Sequence, residues 1–253
     1  NILKTDFKAH RDELVISSKA GHHMWDGPYG DWGSRKHLIS GIDQSLKRLQ
    51  LEYVDIFYHH RPDSETPAEE TAAALADIVR QGKALYIGIS NYYGEPSREM
   101  IQCLEREGTP CLINQLPFNM FDRNAEESGE FQGLEKEGVG AITFCPLAQG
   151  LLSGRYLNGI PADSRAATEG TCLDKERIEP ALLDKVRALN GLAEARGQTL
   201  AQMALCWNLT FKPVASVLIG ASRPSQISEN VQALSSAGFS EEERAQIAAV
   251  ISR

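Results

Sequence analysis

The sequence predicts an α/β fold built from repeated parallel βαβ units. Three observations carry this expectation. Short runs rich in Val, Ile, Leu and Phe alternate with longer helical patterns along the whole chain. Several apolar runs are nearly continuous, as in strands covered on both faces. Helices whose ends are marked by capping residues, prolines and glycines lie between the runs. The 253 residues, 42% hydrophobic and 24% charged, suffice for one large domain with a sizeable core.

Taken in order, the strand candidates are Glu13–Lys19, Tyr53–His60, Ala84–Ser90, Cys111–Leu116, Gly140–Pro146 and Ser216–Ala221. Between the first two, Ser34 can cap a helix whose Leu38, Ile42, Leu46 and Leu49 form one apolar stripe. Thr66-Pro67-Ala68-Glu69 reads as a capping box with proline at the first helical position, and Gly82 ends that helix. Further helices are expected over Pro96–Glu107, Pro180–Arg196, Thr199–Leu209 and Pro224–Leu234, with a last capping box at Ser240 and Glu243. Right-handed crossovers make consecutive strands parallel neighbours. Six units are visible, two short of an eight-fold barrel. A doubly wound sheet is the alternative that periodicity leaves open, although no GxGxxG follows a strand. The stretches His22–Gly33 and Asn158–Glu179 break the rhythm and are long enough to be functional loops.

Composition excludes several function classes. A net charge of −8 argues against nucleic-acid binding, which needs a basic face. The longest apolar runs are far too short to span a membrane. No basic-then-apolar leader opens the sequence, so no secretory signal is expected. Five scattered cysteines with no CxxC pair read as reduced thiols in a cytoplasmic protein, and no metal site is expected.

Polar residues recur where strands end. Lys19 closes the first candidate strand, His60 the second and Ser90-Asn91 the third. Gln115 lies near the end of the fourth and Phe144 near the end of the fifth, and Gly220 to Ser222 closes the last. Parallel strands bring their carboxyl ends to one face, which is where barrel enzymes keep their active sites.

The segments Ile16-Ser17-Ser18-Lys19, Asp55 through Arg61, Gly88-Ile89-Ser90-Asn91 and Ile113-Asn114-Gln115 resemble successive signatures of the aldo-keto reductases. So do Pro146 through Leu152 and Ile219 through Arg223, all in register. The likeness is strongest to the branch holding bacterial glyceraldehyde-3-phosphate reductases and potassium-channel β-subunits. It implies a (β/α)8 TIM barrel occupying residues 1–253 as a single domain, with its first two strands missing from this sequence. It implies NADPH-dependent reduction of small aldehydes or ketones, of the methylglyoxal or glyceraldehyde-phosphate type. The alternative within the branch is an NADPH-binding regulatory subunit with little turnover. Channel β-subunits usually carry Asn where this chain has His60, which favours the enzyme.

Residue by residue, the resemblance makes Lys19 the lysine that lowers a tyrosine's pKa and His60 the histidine that orients the carbonyl. His59 points to the other side of its strand and reads as structural. The family's Asp and proton-donating Tyr match no position here. The string Asp26-Gly27-Pro28-Tyr29-Gly30 has the wrong spacing and reads as a turn. Both residues, with two more strands, are expected on a segment upstream of Asn1.

On the cofactor side, Ser90, Asn91 and Gln115 match groups that bind the nicotinamide carboxamide, and Phe144 matches the aromatic on which its ring stacks. Pro146, Leu147, Gln149 and Gly150 match the loop around the pyrophosphate. Gly220, Ser222, Arg223, Gln226, Glu229 and Asn230 match the adenosine end, where a helix amino terminus suits a phosphate. Arg155 and Arg165 match the grip on the 2′-phosphate that favours NADPH over NADH. Trp25, Tyr29 and Trp32 are expected to wall the substrate pocket. Arg61 and Arg35-Lys36 are read either as receivers of a substrate phosphate or as solvated surface. The expected partner is a small carbonyl substrate, and assembly into a homo-oligomer is left open.

Overall fold

The computed structural model describes residues 2–162, 164–168, 178–235 and 238–252. The chain forms two compact units, Asn1–Leu116 with Ser128–Ala141, and Pro117–Glu127 with Ile142–Arg253. Among the described residues six strands alternate with helices.

In the first unit β1 (Ser17–Ala20), β2 (Val54–His59), β3 (Ala84–Ser90) and β4 (Cys111–Pro117) pair in chain order, all parallel. β1 starts four residues later than its apolar pattern suggests. Lys8–Glu13 is a 3-10 turn, and Arg11 pins the residues that follow it. The Arg11 guanidinium donates to the carbonyls of Leu14 and Tyr53 and pairs with Asp55 at 2.9 Å. Asp55 in turn accepts the Ile16 N–H at 2.7 Å. β2 is buried on both sides, as its unbroken apolar run requires. Gly88 on β3 has a steric cause: a Cβ there would lie 2.6 Å from the Tyr58 ring.

Helix α1 (Arg35–Leu49) opens on Ser34, whose hydroxyl accepts the His37 N–H, and it buries Leu38 and Ile42 completely. Helix α2 (Ala68–Arg80) begins after Pro67, and the expected Thr66 box does not form. Asp63 takes the Glu65 and Thr66 N–H groups instead. Helix α3 (Gly94–Arg106) starts two residues ahead of Pro96. In the second unit lies the short helix α4 (Asn124–Glu127). Helix α5 (Glu130–Glu137), in the first, escaped the sequence pattern because Gly133 and its charged residues hide the period. It is fixed by Glu130, a buried carboxylate that accepts from Ser97 Oγ at 2.7 Å, the Gly94 N–H at 2.8 Å and Asn114 Nδ2 at 3.1 Å.

In the second unit the end of β5 (Gly140–Phe144) neighbours β6 (Val214–Val217), and the Leu218 N–H donates to the Thr143 carbonyl at 2.8 Å. β5 stops at Phe144 and not at Pro146, because Cys145 takes a left-handed φ of 56°. β6 lies earlier than expected, leaving Leu218 to Arg223 as the loop into α8 (Pro224–Val231). Helices α6 (Pro180–Ala195), α7 (Leu200–Asn208) and α9 (Glu241–Ile251) carry the core side chains Val186, Leu189, Met203 and Ile247. The capping boxes at Thr199 and Ser240 both form. Phe118 stacks on Trp207 with centroids 5.1 Å apart, and Phe211 meets both edge-on. No described helix is long and apolar enough to cross a membrane.

Candidate active site

Consecutive parallel strands deliver Lys19, His60, Ser90, Asn91 and Gln115 to one strand-end cluster in the first unit. Lys19 is the third residue of β1 and pairs in register with Tyr58. Its ammonium donates to the Gln115 side-chain oxygen and lies 5.8 Å from the Tyr58 ring centroid. Burial lowers the Lys19 pKa from its usual value. Burial also pushes the Tyr58 phenol up to about 12, against the opposing hydrogen bond of the Gln115 carboxamide.

His60 follows β2 directly and is held by its backbone on two sides. Its N–H donates to the Ala20 carbonyl at 2.9 Å, and its carbonyl accepts from Asn91 Nδ2 at 3.0 Å. Asn91 adopts φ 59°, which turns the chain out of β3 and sends its N–H to the Gln115 carbonyl at 3.0 Å. Ser90 Oγ donates to that same carbonyl at 2.9 Å and accepts from Asn91 Nδ2 at 3.2 Å. The four strand ends are therefore cross-braced by polar groups, each with an assigned partner. Burial lowers the His60 pKa to about 4, with the charges of Lys19, His22 and Arg61 acting in the same direction. The imidazole is neutral at neutral pH and can donate one N–H.

His59 is on the opposite side of β2. It is fully buried, its Nδ1 is 2.5 Å from the Tyr92 hydroxyl, and burial lowers its pKa to about 4.

The aromatics of residues 22–33 divide into two groups. Trp25 packs on His37 of α1 at 4.9 Å, and the Tyr29 ring lies 4.8 Å from Lys36 Nζ. Asp26 to Gly30 is a turn, closed by Gly30 N–H to the Gly27 carbonyl at 3.1 Å and Met24 N–H to the Gly30 carbonyl at 2.8 Å. Trp32 lies on the other side, under the Arg61 guanidinium at 3.9 Å. Arg61 is engaged by Asp31 at 2.8 Å, and Arg35 pairs with Asp77.

Two neighbours of the cluster were missed by sequence reasoning. His22 meets His60 edge-on, and nothing local in the sequence marks it. Tyr58 was legible in principle, since strand alternation puts it on the same side as His60.

In the second unit Phe144 is half-buried, and its carbonyl accepts the Phe118 N–H at 3.1 Å. The chain then coils tightly. Leu147 has φ −99° and ψ 17°, and Ala148, Gln149 and Gly150 follow at φ 46°, 59° and 103°. The N–H groups of this run close the coil on itself, with Ala148 donating to the Cys145 carbonyl at 3.0 Å, and Gly150 and Leu152 to the Leu147 carbonyl at 2.9 and 3.1 Å. Pro146, Leu151, Leu152 and Tyr156 are buried behind it. Arg155 is exposed, and the side chain of Arg165 lies outside the described residues, as do residues 163 and 169–177.

At the start of α8, Gln226 Oε1 accepts from Ser222 N–H at 2.8 Å and Arg223 N–H at 3.2 Å. These N–H groups thus have a partner within the chain, and Gln226 acts as a cap. Gly220, Ser222, Arg223, Gln226 and Glu229 are exposed, and Asn230 is buried.

Residues 1–252 match the aldo/keto reductase family. The chain is 54% identical over 249 residues to L-glyceraldehyde 3-phosphate reductase of Escherichia coli O157:H7, covering 97% of this chain and 72% of that protein. The same values hold for the enzyme of strain K12. A probable voltage-gated potassium channel subunit beta of Arabidopsis thaliana is 39% identical over 229 residues, covering 88% of this chain and 69% of its own length. A thermostable aldo-keto reductase solved with the inhibitor epalrestat superposes with a TM-score of 0.74 at 27% identity, covering 98% of this chain and 76% of that one. The fold is the TIM-barrel-like α/β fold of these proteins, with parallel strands alternating with helices. The chain belongs to the aldo/keto reductase family.

Proposed function

We propose that this protein is an NADPH-dependent reductase of small aldehydes, with glyceraldehyde 3-phosphate and methylglyoxal as its substrate class, and that Lys19 and His60 serve the carbonyl. The observation that carries the assignment of residues is the joining of Lys19, Gln115 and Asn91 to His60 at adjacent strand ends. The identity to two L-glyceraldehyde 3-phosphate reductases supports the substrate class.

Bound NADPH would supply a hydride to the carbonyl carbon, and the proton for the oxygen would come from the family's tyrosine, which matches no position in this sequence. The residues present fit this cofactor at its nicotinamide end. Ser90, Asn91 and Gln115 gather hydroxyl and carboxamide groups suited to a carboxamide ligand. Neutral His60 donates its N–H to the carbonyl oxygen and fixes the carbonyl's orientation. The ammonium of Lys19 serves the carbonyl through the family's proton-donating tyrosine, whose pKa a neighbouring cation lowers. Arg155 and Arg165 supply cationic forks for a 2′-phosphate.

A cytoplasmic location is part of this reading, supported by Cys103, Cys111, Cys145 and Cys206, none of them in a disulfide among the described residues. A single domain over residues 1–253 is part of this reading, supported by the extent of the family match. The test is loss of NADPH absorbance on addition of methylglyoxal or glyceraldehyde 3-phosphate to the full-length enzyme. Tight NADPH binding without turnover would replace this reading with a regulatory subunit.

A further inference from the structure

Residues 22–33 leave β1 three positions after Lys19 and return to α1 at Ser34. Their middle is held by α1, through Trp25 on His37, the Tyr29 carbonyl on His37 Nδ1 at 3.0 Å, and the Tyr29 ring at Lys36. Both ends are held by one other side chain. Arg61 Nε donates to the Gly21 carbonyl at 2.9 Å, at the entry to the segment. An Arg61 terminal nitrogen donates to Asp31 Oδ1 at 2.8 Å, near the exit. The same Asp31 oxygen accepts the Trp32 N–H at 2.7 Å, and the guanidinium lies flat over the Trp32 indole at 3.9 Å.

Trp32 has φ 69°, a left-handed conformation that bulky side chains rarely adopt and that persists only where surrounding contacts impose it. The contacts imposing it here are the Asp31 carboxylate and the Arg61 plane. His22 follows Gly21 directly, so the hold on the Gly21 carbonyl also stations the His22 ring against His60, with centroids 4.3 Å apart. Arg61 is itself the residue after His60. It therefore ties the backbone that carries His60 to His22, whose ring meets His60, and to Trp32, whose ring lies under the guanidinium. A guanidinium suits this task because its planar fork donates in two directions while its face stacks on an aromatic ring.

We propose that Arg61, acting with Asp31, is the positioning residue that sets substrate recognition at this site, by locking Trp32 in its left-handed conformation and holding the His22 ring against His60. This rests on the reading of Lys19 and His60 as the carbonyl site. It assigns Arg61 to the protein's own architecture and not to a substrate phosphate.

The test uses R61K, D31N, W32F and the R61K/D31N double variant in the full-length enzyme. Readouts are kcat and KM for a neutral aldehyde (methylglyoxal) and an anionic one (glyceraldehyde 3-phosphate), with NADPH Kd from fluorescence titration. Lysine keeps the charge but loses the fork and the stacking plane. R61K and D31N should each raise KM for both aldehydes by roughly 10-fold, the size of effect expected on losing a positioning contact. kcat and NADPH Kd should move by less than about 3-fold, and W32F should raise KM in the same sense. The double variant should be no worse than the worse single one, since both act through one clamp. Unchanged KM in folded R61K and D31N overturns the proposal. So does a KM rise confined to the phosphate ester, which would make Arg61 the phosphate receiver, and so do additive effects in the double variant. If R61K fails to fold, D31N and W32F carry the same test with the same overturning results. Full activity of a Lys19→Met variant would instead remove the underlying site reading, whatever the Arg61 series gives.

Discussion

The His22 and His60 rings meet edge-on, with centroids 4.3 Å apart and planes at 89°. This contact has an electrostatic consequence. Burial lowers the His60 pKa to about 4, and the charges of Lys19, His22 and Arg61 add to the effect. His60 is then a neutral donor throughout the physiological range, and only acid makes it a cation. In histidine-detected NMR, His60 should titrate well below the ordinary value of 6.5. H22A, which removes a neighbouring charge and admits water, should move that titration upward. A His60 that titrates near 6.5 in the unaltered protein would refute the neutral-donor assignment.

Acid should also unfold the first unit through His59. Its folded pKa is about 4, below the usual 6.5, because burial penalises the cation. For a histidine whose folded pKa is depressed, the stability contribution is complete above the unfolded pKa. It is lost as pH falls from 6.5 through about 4, because the unfolded chain takes the proton first. Urea midpoints measured between neutral pH and pH about 4 should fall steadily across that window. H59Q should flatten the slope, and an unchanged slope would remove His59 from the account.

Lys19→Met should cut kcat for methylglyoxal by ~10²-fold or more, the size expected when a general acid loses the charge that tunes its pKa. NADPH Kd should stay within about 3-fold of the parent value. Loss of both binding and turnover would mean that Lys19 holds the cofactor site together.

Arg155→Ala combined with Arg165→Ala should weaken NADPH binding by ~10-fold or more and NADH binding much less, because a guanidinium's advantage lies in the phosphate it pairs with. Equal losses for the two cofactors, read by fluorescence titration, would refute the 2′-phosphate role.

Two packing residues give stability tests independent of chemistry. Glu130→Ala leaves the Ser97 hydroxyl and the Gly94 N–H without their acceptor, and Asn114 Nδ2 with only the Tyr92 carbonyl. It should cost about 3 kcal/mol in denaturant unfolding, as buried unpaired donors do. Gly88→Ala drives a Cβ to 2.6 Å from the Tyr58 ring and should cost ~1–3 kcal/mol, the usual penalty of overpacking. A Gly88→Ala variant as stable as the parent would mean that Tyr58 shifts freely.

The sequence by itself determined the order of strands and helices, because the apolar runs of β2 and β3 and the caps at Ser34, Thr199 and Ser240 are local signals. It also determined that Lys19, His60, Ser90, Asn91 and Gln115 end successive strands, since a residue's place along a strand is set by its neighbours in the chain. Only the tertiary structure decided what those ends touch. Lys19 meets Gln115 across three strand steps, and nothing near either residue encodes the separation. Helix α5 likewise owes its place to Glu130, which meets partners on α3 and β4. The aromatic loop was legible as a loop, but its division into Trp25 and Tyr29 on α1, with Trp32 under Arg61, depends on charges that approach only after β2 is laid beside β1. Periodicity reports which way a side chain faces, and contact between distant segments decides what it can do there.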